Sequence, residues 1–179
     1  MIWAIDSSHT NATFAVKHLM ISTVRGRFGA VSGTIEFDPA NPEAASVDAS
    51  ADATSIDTRE ETRDTHLKSP DFFDVEKFPT LTLKSKKVEV SGENEFKVTT
   101  DLTIHGITNE VVFDVEFLGT ATAPYGGGHR AAFTAKAKIS RKDFGINFNM
   151  VLEAGGVVVS DKVSIELELE AVQQDAAAV

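Results

Sequence analysis

The chain has 179 residues, 42% of them hydrophobic, and a formal net charge of −10 at pH 7, which predicts one domain with a complete core. The acidic charge repels nucleic-acid phosphates and anionic membrane surfaces, and no cluster of Lys and Arg along the sequence offsets it, so nucleic-acid binding is excluded as a function. The absence of cysteine excludes disulfides, thiolate catalysis and cysteine-ligated metal sites.

Alternation of apolar and polar residues predicts β-strands along most of the chain. In chain order these strands span residues 12–17, 23–37, 47–53, 80–90, 95–105, 111–117, 131–140 and 162–171. Three glycines, Gly26, Gly29 and Gly33, divide the second of them, which predicts a single strand that bends sharply. Strands with one apolar face are typical of antiparallel sheets, and long sheets must close on themselves or pair with another chain.

One helix is predicted, in the polar stretch between the third and fourth strands. Thr58 and Glu61 have the spacing of a capping box, in which the Thr58 side chain caps the first turn. Leu67 is the only good apolar anchor of this helix, so the helix needs Phe72 and Phe73 behind it to stay on a core. We therefore expect it to cover one end of a barrel.

The predicted fold is all-β, with one short helix and about eight antiparallel strands in meander order, closed into a barrel with a helical cap. Residues 1–172 form the single predicted domain, and residues 173–179 a frayed C-terminal tail. A barrel of about eight strands is either filled by side chains or able to hold one small ligand. Several inward positions are small, including Ala49, Ala51 and Ala135, which predicts a dry apolar cavity.

Catalytic and metal-binding signals are weak. The five histidines lack the spacing of metal ligands, so no metal site is predicted. Asp64, His66, Asp71 and Asp74 lie close in sequence and could form an acid–base pair, although helix capping and pairing with nearby Arg and Lys explain them more simply. The sequence contains no nucleophile elbow, phosphate loop or dinucleotide motif, and we predict neither catalytic residues nor a cofactor.

A series of motifs then follows along the chain: Trp3-x-Ile5-Asp6-x-x-His9-Thr10, Phe14-x-Val16-x-His18, Arg27-Phe28, Ile56-Asp57-Thr58, the segment from Arg63 to Pro79, the segment from Asp101 to Thr108, and Arg141-Lys142-Asp143-Phe144-Gly145-Ile146. In this order they resemble the YceI-like family almost end to end. The resemblance implies an extended, lipocalin-like antiparallel barrel with a helix at one end. It also implies that the barrel interior binds a long isoprenoid chain, such as a polyprenyl phosphate or a quinone, in a bacterial protein of transport or stress response.

The inward faces of the strands and helix predict which residues line an apolar pocket, although ordinary core packing explains each of them about equally well. The predicted pocket residues are Phe14, Val16, Phe28, Leu67, Phe72, Phe113, Val115, Phe133, Ile146 and Phe148. Arg63, His66 and Arg141 are the polar residues that could meet a ligand headgroup at the mouth.

Three functional hypotheses remain open at this level. The leading one is a carrier or storage protein for a polyisoprenoid lipid. The second is an enzyme acting on such a lipid through Asp64, His66 or Asp143, and the third is an interaction module with a filled barrel.

The N-terminus predicts no signal peptide, because no basic segment precedes an apolar run. We therefore expect a cytoplasmic protein, or a periplasmic one if a leader has been removed. No apolar stretch reaches the roughly 20 residues of a membrane helix, so stable membrane insertion is not expected. Some relatives implied by the resemblance are dimers, and a homodimer stays open.

Overall fold

The computed structural model describes residues 1–124, 126–151, 153 and 156–174. Within them the chain forms ten strands, one α-helix and three short 3₁₀ turns. The strands are β1 (Ile2–Ile5), β2 (Asn11–His18), β3 (Ser22–Phe28), β4 (Ser32–Glu36), β5 (Ser46–Asp52), β6 (Thr80–Gly92), β7 (Glu95–Ile104), β8 (Ile107–Thr122), β9 (His129–Ser140) and β10 (Val159–Gln173). The helix α1 spans Glu61–Lys68, and the 3₁₀ turns span Pro42–Ala44, Ala53–Ser55 and Arg141–Phe144.

All strand pairs are antiparallel, and eight strands close into a barrel in the order β1-β4-β5-β6-β7-β8-β9-β10, with β10 pairing back to β1. Strand β2 pairs with the same edge of β10 as β1 does, and β3 extends the sheet beyond β2. Trp3 lies opposite Gln173 on β10, and Phe14 lies opposite Ile165 farther along it. The predicted all-β barrel is therefore confirmed. Strands β1 and β2 lie end to end along β10.

The predicted single strand 23–37 is wrong. It divides into β3, which pairs with β2, and β4, which pairs with β1 and β5. Two of its glycines, Gly26 and Gly33, allow close approach of neighbouring groups. A Cβ on Gly33, whose φ is +146°, would lie 2.2 Å from the carbonyl oxygen of Asp48, and one on Gly26 would lie 2.3 Å from the Phe14 ring. The short β1 carries too few residues to show alternation, and the meander order holds only from β4 to β10.

The predicted capping box is also wrong, because the helix cap lies two residues later, at Glu60. The Glu60 carboxylate caps α1 by accepting from the backbone N–H groups of Thr62 and Arg63, at 3.0 and 2.6 Å. Arg59 has a φ of 63° and turns the chain between Thr58 and the helix. The buried Thr58 hydroxyl instead bonds the Asp64 carboxylate. Among the described residues, no helix has the length and apolarity to cross a membrane.

The core consists of two apolar clusters, one toward each end of the barrel. The first surrounds an aromatic group of Phe37, Phe96, Phe117 and Phe133, whose ring centroids lie 4.8 to 6.1 Å apart. Trp3 belongs to this cluster, and its indole N–H donates to the carbonyl oxygen of Phe37 at 3.1 Å. The second contains Phe72, Phe113, Phe144 and Ile146. The predicted tail begins inside the sheet, since Gln173 ends β10 and the N–H of Gln174 donates to Ile2; residues 175–179 lie outside the described residues.

The corner between β1 and β2 is held by a network of charged side chains around Asp6. The Asp6 carboxylate accepts from Ser8, from Arg130 Nη1 at 2.7 Å and contacts His9 Nδ1 at 2.9 Å. Arg130 also bonds Glu170 on β10. Asp6, His9 and Glu170 bring potential ligand atoms within 4.8 Å of one another, but the Arg130 guanidinium already bonds both carboxylates, so the group acts as an ion-pair network.

We predict that Asp6→Asn lowers stability at neutral pH and removes part of its acid sensitivity. Hydrogen bonds from Ser8, Arg130 and His9 hold the pKa of Asp6 well below its ordinary value of 3.8. A depressed folded-state pKa contributes stability above the unfolded-state pKa, and this contribution is lost as pH falls below about 4. Since the side chain is partly solvated, we expect a loss of about 1 kcal/mol and a Tm about 2–4 °C lower at pH 7.

Thermal unfolding of both proteins from pH 7 to pH 2 checks this expectation. The two Tm values should converge as the pH falls, because the wild type alone loses the Asp6 contribution. Parallel curves over the whole range would show that Asp6 carries no acid-linked stability. Asp114→Asn is a suitable control, since Asp114 pairs with Lys97 on the exposed face of the sheet.

Candidate ligand-binding site

The interior of the barrel is hollow. Inward-facing apolar residues of β5, β6 and β10 pack around the core clusters, yet they remain only half-buried, as seen for Val47, Ala49, Leu83 and Leu167. A filled barrel would bury such positions completely. They face a cavity of about 270 Å³, which is close to the lower end of the roughly 300–1,000 Å³ typical of ligand pockets.

The cavity wall is apolar because its few polar side chains already have partners in the protein. Thr100 donates to the carbonyl oxygen of Val111 at 2.9 Å, and Thr13 donates to that of Glu166 at 3.0 Å. Among the described residues, no buried polar side-chain atom lacks a hydrogen-bond partner. A ligand inside the barrel therefore meets hydrocarbon, and its own polar groups would be unsatisfied there.

The structure brings the predicted pocket residues together. All of them except Phe148 line the cavity: Phe14, Val16, Phe28, Leu67, Phe72, Phe113, Val115, Phe133 and Ile146. Phe148 instead packs against Phe72 and His66, with ring centroids 5.1 and 4.9 Å apart. Contact of any of these side chains with a ligand stays a prediction.

The segment after α1 forms one wall of the cavity. Leu67, Phe72 and Phe73 all line it, and the backbone N–H of Phe73 donates to the carbonyl oxygen of Leu67 at 3.0 Å. Phe73 packs edge-on against Phe28, which in turn contacts Phe14, with centroids 5.4 and 5.6 Å apart. The short polar helix α1 can therefore cover the barrel, because the apolar segment that follows it in the chain anchors it to the cavity wall.

Sequence reasoning missed other parts of the wall. Val159 and Val163 on β10, Leu81 and Leu83 on β6, and Phe73 also line the cavity. Alternation along 80–90 and 162–171 could have indicated most of them. Val159 precedes the predicted strand, so no local pattern marked it.

Arg141 is buried at the cavity wall, where its donors are directed at the backbone. Its guanidinium bonds the carbonyl oxygens of Ile146, Phe148, Ser160 and Val159 and the carboxylate of Asp161. Burial lowers the pKa of Arg141, while the nearby Asp161 acts in the opposite direction. The side chain fastens the segment 146–148 to the start of β10, and its headgroup role stays a prediction.

Arg63 and His66 lie on α1, outside the described cavity wall. Arg63 donates to the hydroxyl and the carbonyl oxygen of Thr58 at 2.7 and 2.8 Å, so it ties the helix to the preceding segment. His66 Nε2 lies 2.8 Å from an Asp71 carboxylate oxygen, and both side chains are about half-exposed. This pair could move a proton at the surface, and contact of either residue with a headgroup stays a prediction.

Comparison with known proteins identifies the family of this barrel. The profile of the YceI-like domain matches residues 3–171. The chain belongs to the YceI-like family. A UPF0312 protein of Staphylococcus aureus strain N315 is 39% identical over 168 residues, which cover 94% of this chain and 95% of the relative.

Several solved structures share the barrel. A Campylobacter jejuni YceI protein superposes with a TM-score of 0.72 at 33% identity, over 89% of this chain and 90% of its own. Burkholderia cenocepacia BcnA gives a TM-score of 0.82 at 23% identity, over 94% and 99%. A polyisoprenoid binding domain from Saccharophagus degradans, implicated in plant cell wall breakdown, gives 0.66 at 16% identity, over 96% and 98%. The last two likenesses show the fold alone.

Proposed function

We propose that this YceI-like protein binds a long polyisoprenoid lipid, of the polyprenyl phosphate or isoprenoid quinone type, inside its barrel for transport, storage or sequestration. The observation that carries the proposal is the hollow lumen, whose wall is hydrocarbon and whose polar groups are already partnered. The Saccharophagus degradans domain of the same fold is described as polyisoprenoid binding, which supports this ligand class. The same features favour a binding protein over an enzyme or a filled interaction module.

Burial of the lipid chain supplies the binding energy in this proposal. Each buried methylene contributes about 0.8 kcal/mol, less the cost of ordering the chain. A cavity of about 270 Å³ holds part of a long isoprenoid chain, so the rest of the chain and the headgroup stay at the mouth. Selectivity then rests on the width and branching of the chain, because in the part of the chain that the structure describes no buried polar side-chain atom is left unpaired.

Organic extraction of the natively purified protein, followed by mass spectrometry, tests the proposal. We expect an isoprenoid series in about a 1:1 ratio with protein, as one lumen accommodates one chain. The empty protein should also take up undecaprenyl phosphate or ubiquinone added in detergent. A blank extract that remains blank after this incubation would contradict the proposal and favour the interaction-module hypothesis.

A further inference from the structure

Five large apolar side chains are exposed together at one end of the molecule. They are Leu19, Met20 and Ile21 in the turn between β2 and β3, and Met150 and Val151 in the segment before β10, with exposed fractions from 37% to 83%. We call this group the apolar tip. Exposed patches of this kind mark sites of interaction with proteins or membranes.

Backbone hydrogen bonds bring the two parts of the apolar tip together. The N–H of Leu19 donates to the carbonyl oxygen of Val158 at 2.8 Å, and the N–H of Val158 donates to that of Met150 at 3.1 Å. Val151 pairs with Val157 in an isolated antiparallel bridge. Since hydrogen-bonded strands lie about 4.8 Å apart, the two parts of the apolar tip are close neighbours at the same end of the molecule.

The turn between β2 and β3, which carries three of these side chains, has a strained backbone. Leu19 and Met20 have φ values of 51° and 62°. Asn, Asp and Gly are the residues that adopt two consecutive positive φ angles readily in a hairpin turn. Bulky apolar residues there are unfavourable for the fold, and such strain is typical of functional segments.

The cavity wall reaches the base of the apolar tip. Val16 on β2 and Val159 and Val163 on β10 line the cavity. Val16 lies opposite Val163, and His18, which precedes Leu19, lies opposite Val159. The cavity wall therefore ends at Val159, opposite His18, which is the residue before the apolar tip.

The hairpin that carries the tip is basic although the protein is acidic. Residues 7–35 include Lys17, Arg25 and Arg27 and contain no Asp or Glu, in a chain of net charge −10. Arg25 and Arg27 line a surface depression on the outer face together with Arg59, and Asp57 and Glu166 line it as well. Arg27 pairs with Asp57 at 3.0 Å, whereas within the described ranges Arg25 and Arg59 form no ion pair. Sequence reasoning found no basic cluster because Arg59 comes from a distant part of the chain.

From this arrangement we propose that the β2–β3 hairpin docks on an anionic lipid bilayer. The apolar tip enters the headgroup region, and Lys17 and Arg25, the basic residues of the hairpin nearest to the turn, contact lipid phosphates. Charge decides between a bilayer and a second copy of this chain, because two basic hairpins repel each other and anionic lipids attract them. Docking extends the proposed function, since it places the end of the barrel nearest Val159 against the membrane, and it can be measured without any bound ligand.

Flotation with vesicles tests the docking. The wild type should bind vesicles of equal parts phosphatidylglycerol and phosphatidylcholine more tightly than pure phosphatidylcholine, and high salt should weaken the difference. Met20→Ser with Ile21→Ser should reduce binding about tenfold or more. The matched control is Val112→Ser with Leu118→Ser, which removes exposed apolar side chains from β8 and should bind like the wild type. Arg25→Gln should weaken binding to the anionic vesicles alone.

Three results would overturn the proposal: no binding of the wild type to either vesicle, equal loss in both double variants, or a wild-type dimer in sedimentation that the tip variant abolishes. Unchanged Tm values show that the variants remain folded. Extraction separates this proposal from the proposed function. If the protein docks but its extract and lipid uptake are blank, the docking proposal stands and the proposed lipid ligand is contradicted. If the protein retains lipid but does not dock, the proposed ligand stands and the docking proposal is contradicted.

Discussion

Replacing Ala51 by Phe closes the lumen and lowers the amount of retained lipid by about tenfold or more, equivalent to at least about 1.4 kcal/mol of binding free energy. Ala51 lies on β5 opposite Leu81, and both residues line the cavity. Its methyl group is only half-buried, so an aromatic ring can occupy the hollow without displacing the wall. Because added apolar contacts fill a void, stability should stay unchanged or rise by about 0.5–2 kcal/mol.

The matched control for this variant is Ala121→Phe, which places the same ring on the exposed face of β8. Extraction and mass spectrometry of both variants, with Tm measured in parallel, give the comparison. The control should retain lipid like the wild type. Equal lipid in Ala51→Phe and the wild type would show that the ligand lies outside the lumen, since a stable protein with a blocked cavity could not hold it there.

Replacing Arg141 by Met destabilises the protein by about 3 kcal/mol or more and lowers its Tm by about 6–12 °C. Arg141 is 5% exposed and donates to four backbone carbonyl groups of the segments on either side of the 149–158 loop. Methionine keeps much of the apolar volume but donates nothing. Each carbonyl left buried without a donor costs about 1–3 kcal/mol unless water reaches it.

Lys142→Ala is the control, because Lys142 also pairs with Asp161, at 2.9 Å, but is exposed. It should lower Tm by no more than about 2 °C. Arg141→Lys should resemble Arg141→Met, since one ammonium group cannot reach the positions that a planar guanidinium serves. A stable Arg141→Met protein that has lost only its lipid would contradict the structural role and favour the predicted headgroup role.

Local pattern predicted most of this fold because most of its strands are long and one-faced. Alternation along 95–105 and 131–140 was enough to place β7 and β9, whose side chains obey the two-residue period of a sheet. The pattern failed where contacts are non-local. Thr58 has the right spacing for a cap, but the positive φ of Arg59 and the partners Asp64 and Arg63 give its hydroxyl another role.

The sequence by itself determined the fold class and the apolar interior, and its YceI-like resemblance indicated the class of ligand that we propose. The fold class and the apolar interior follow from residue type and period, which each strand carries independently of its partners. Only the tertiary structure decided that β1 closes the barrel, that Arg141 binds backbone carbonyls, and that Arg59 joins Arg25 and Arg27 on the hairpin that carries the apolar tip. Each of these depends on segments far apart in the chain, and their meeting is set by closure of the sheet rather than by any local pattern.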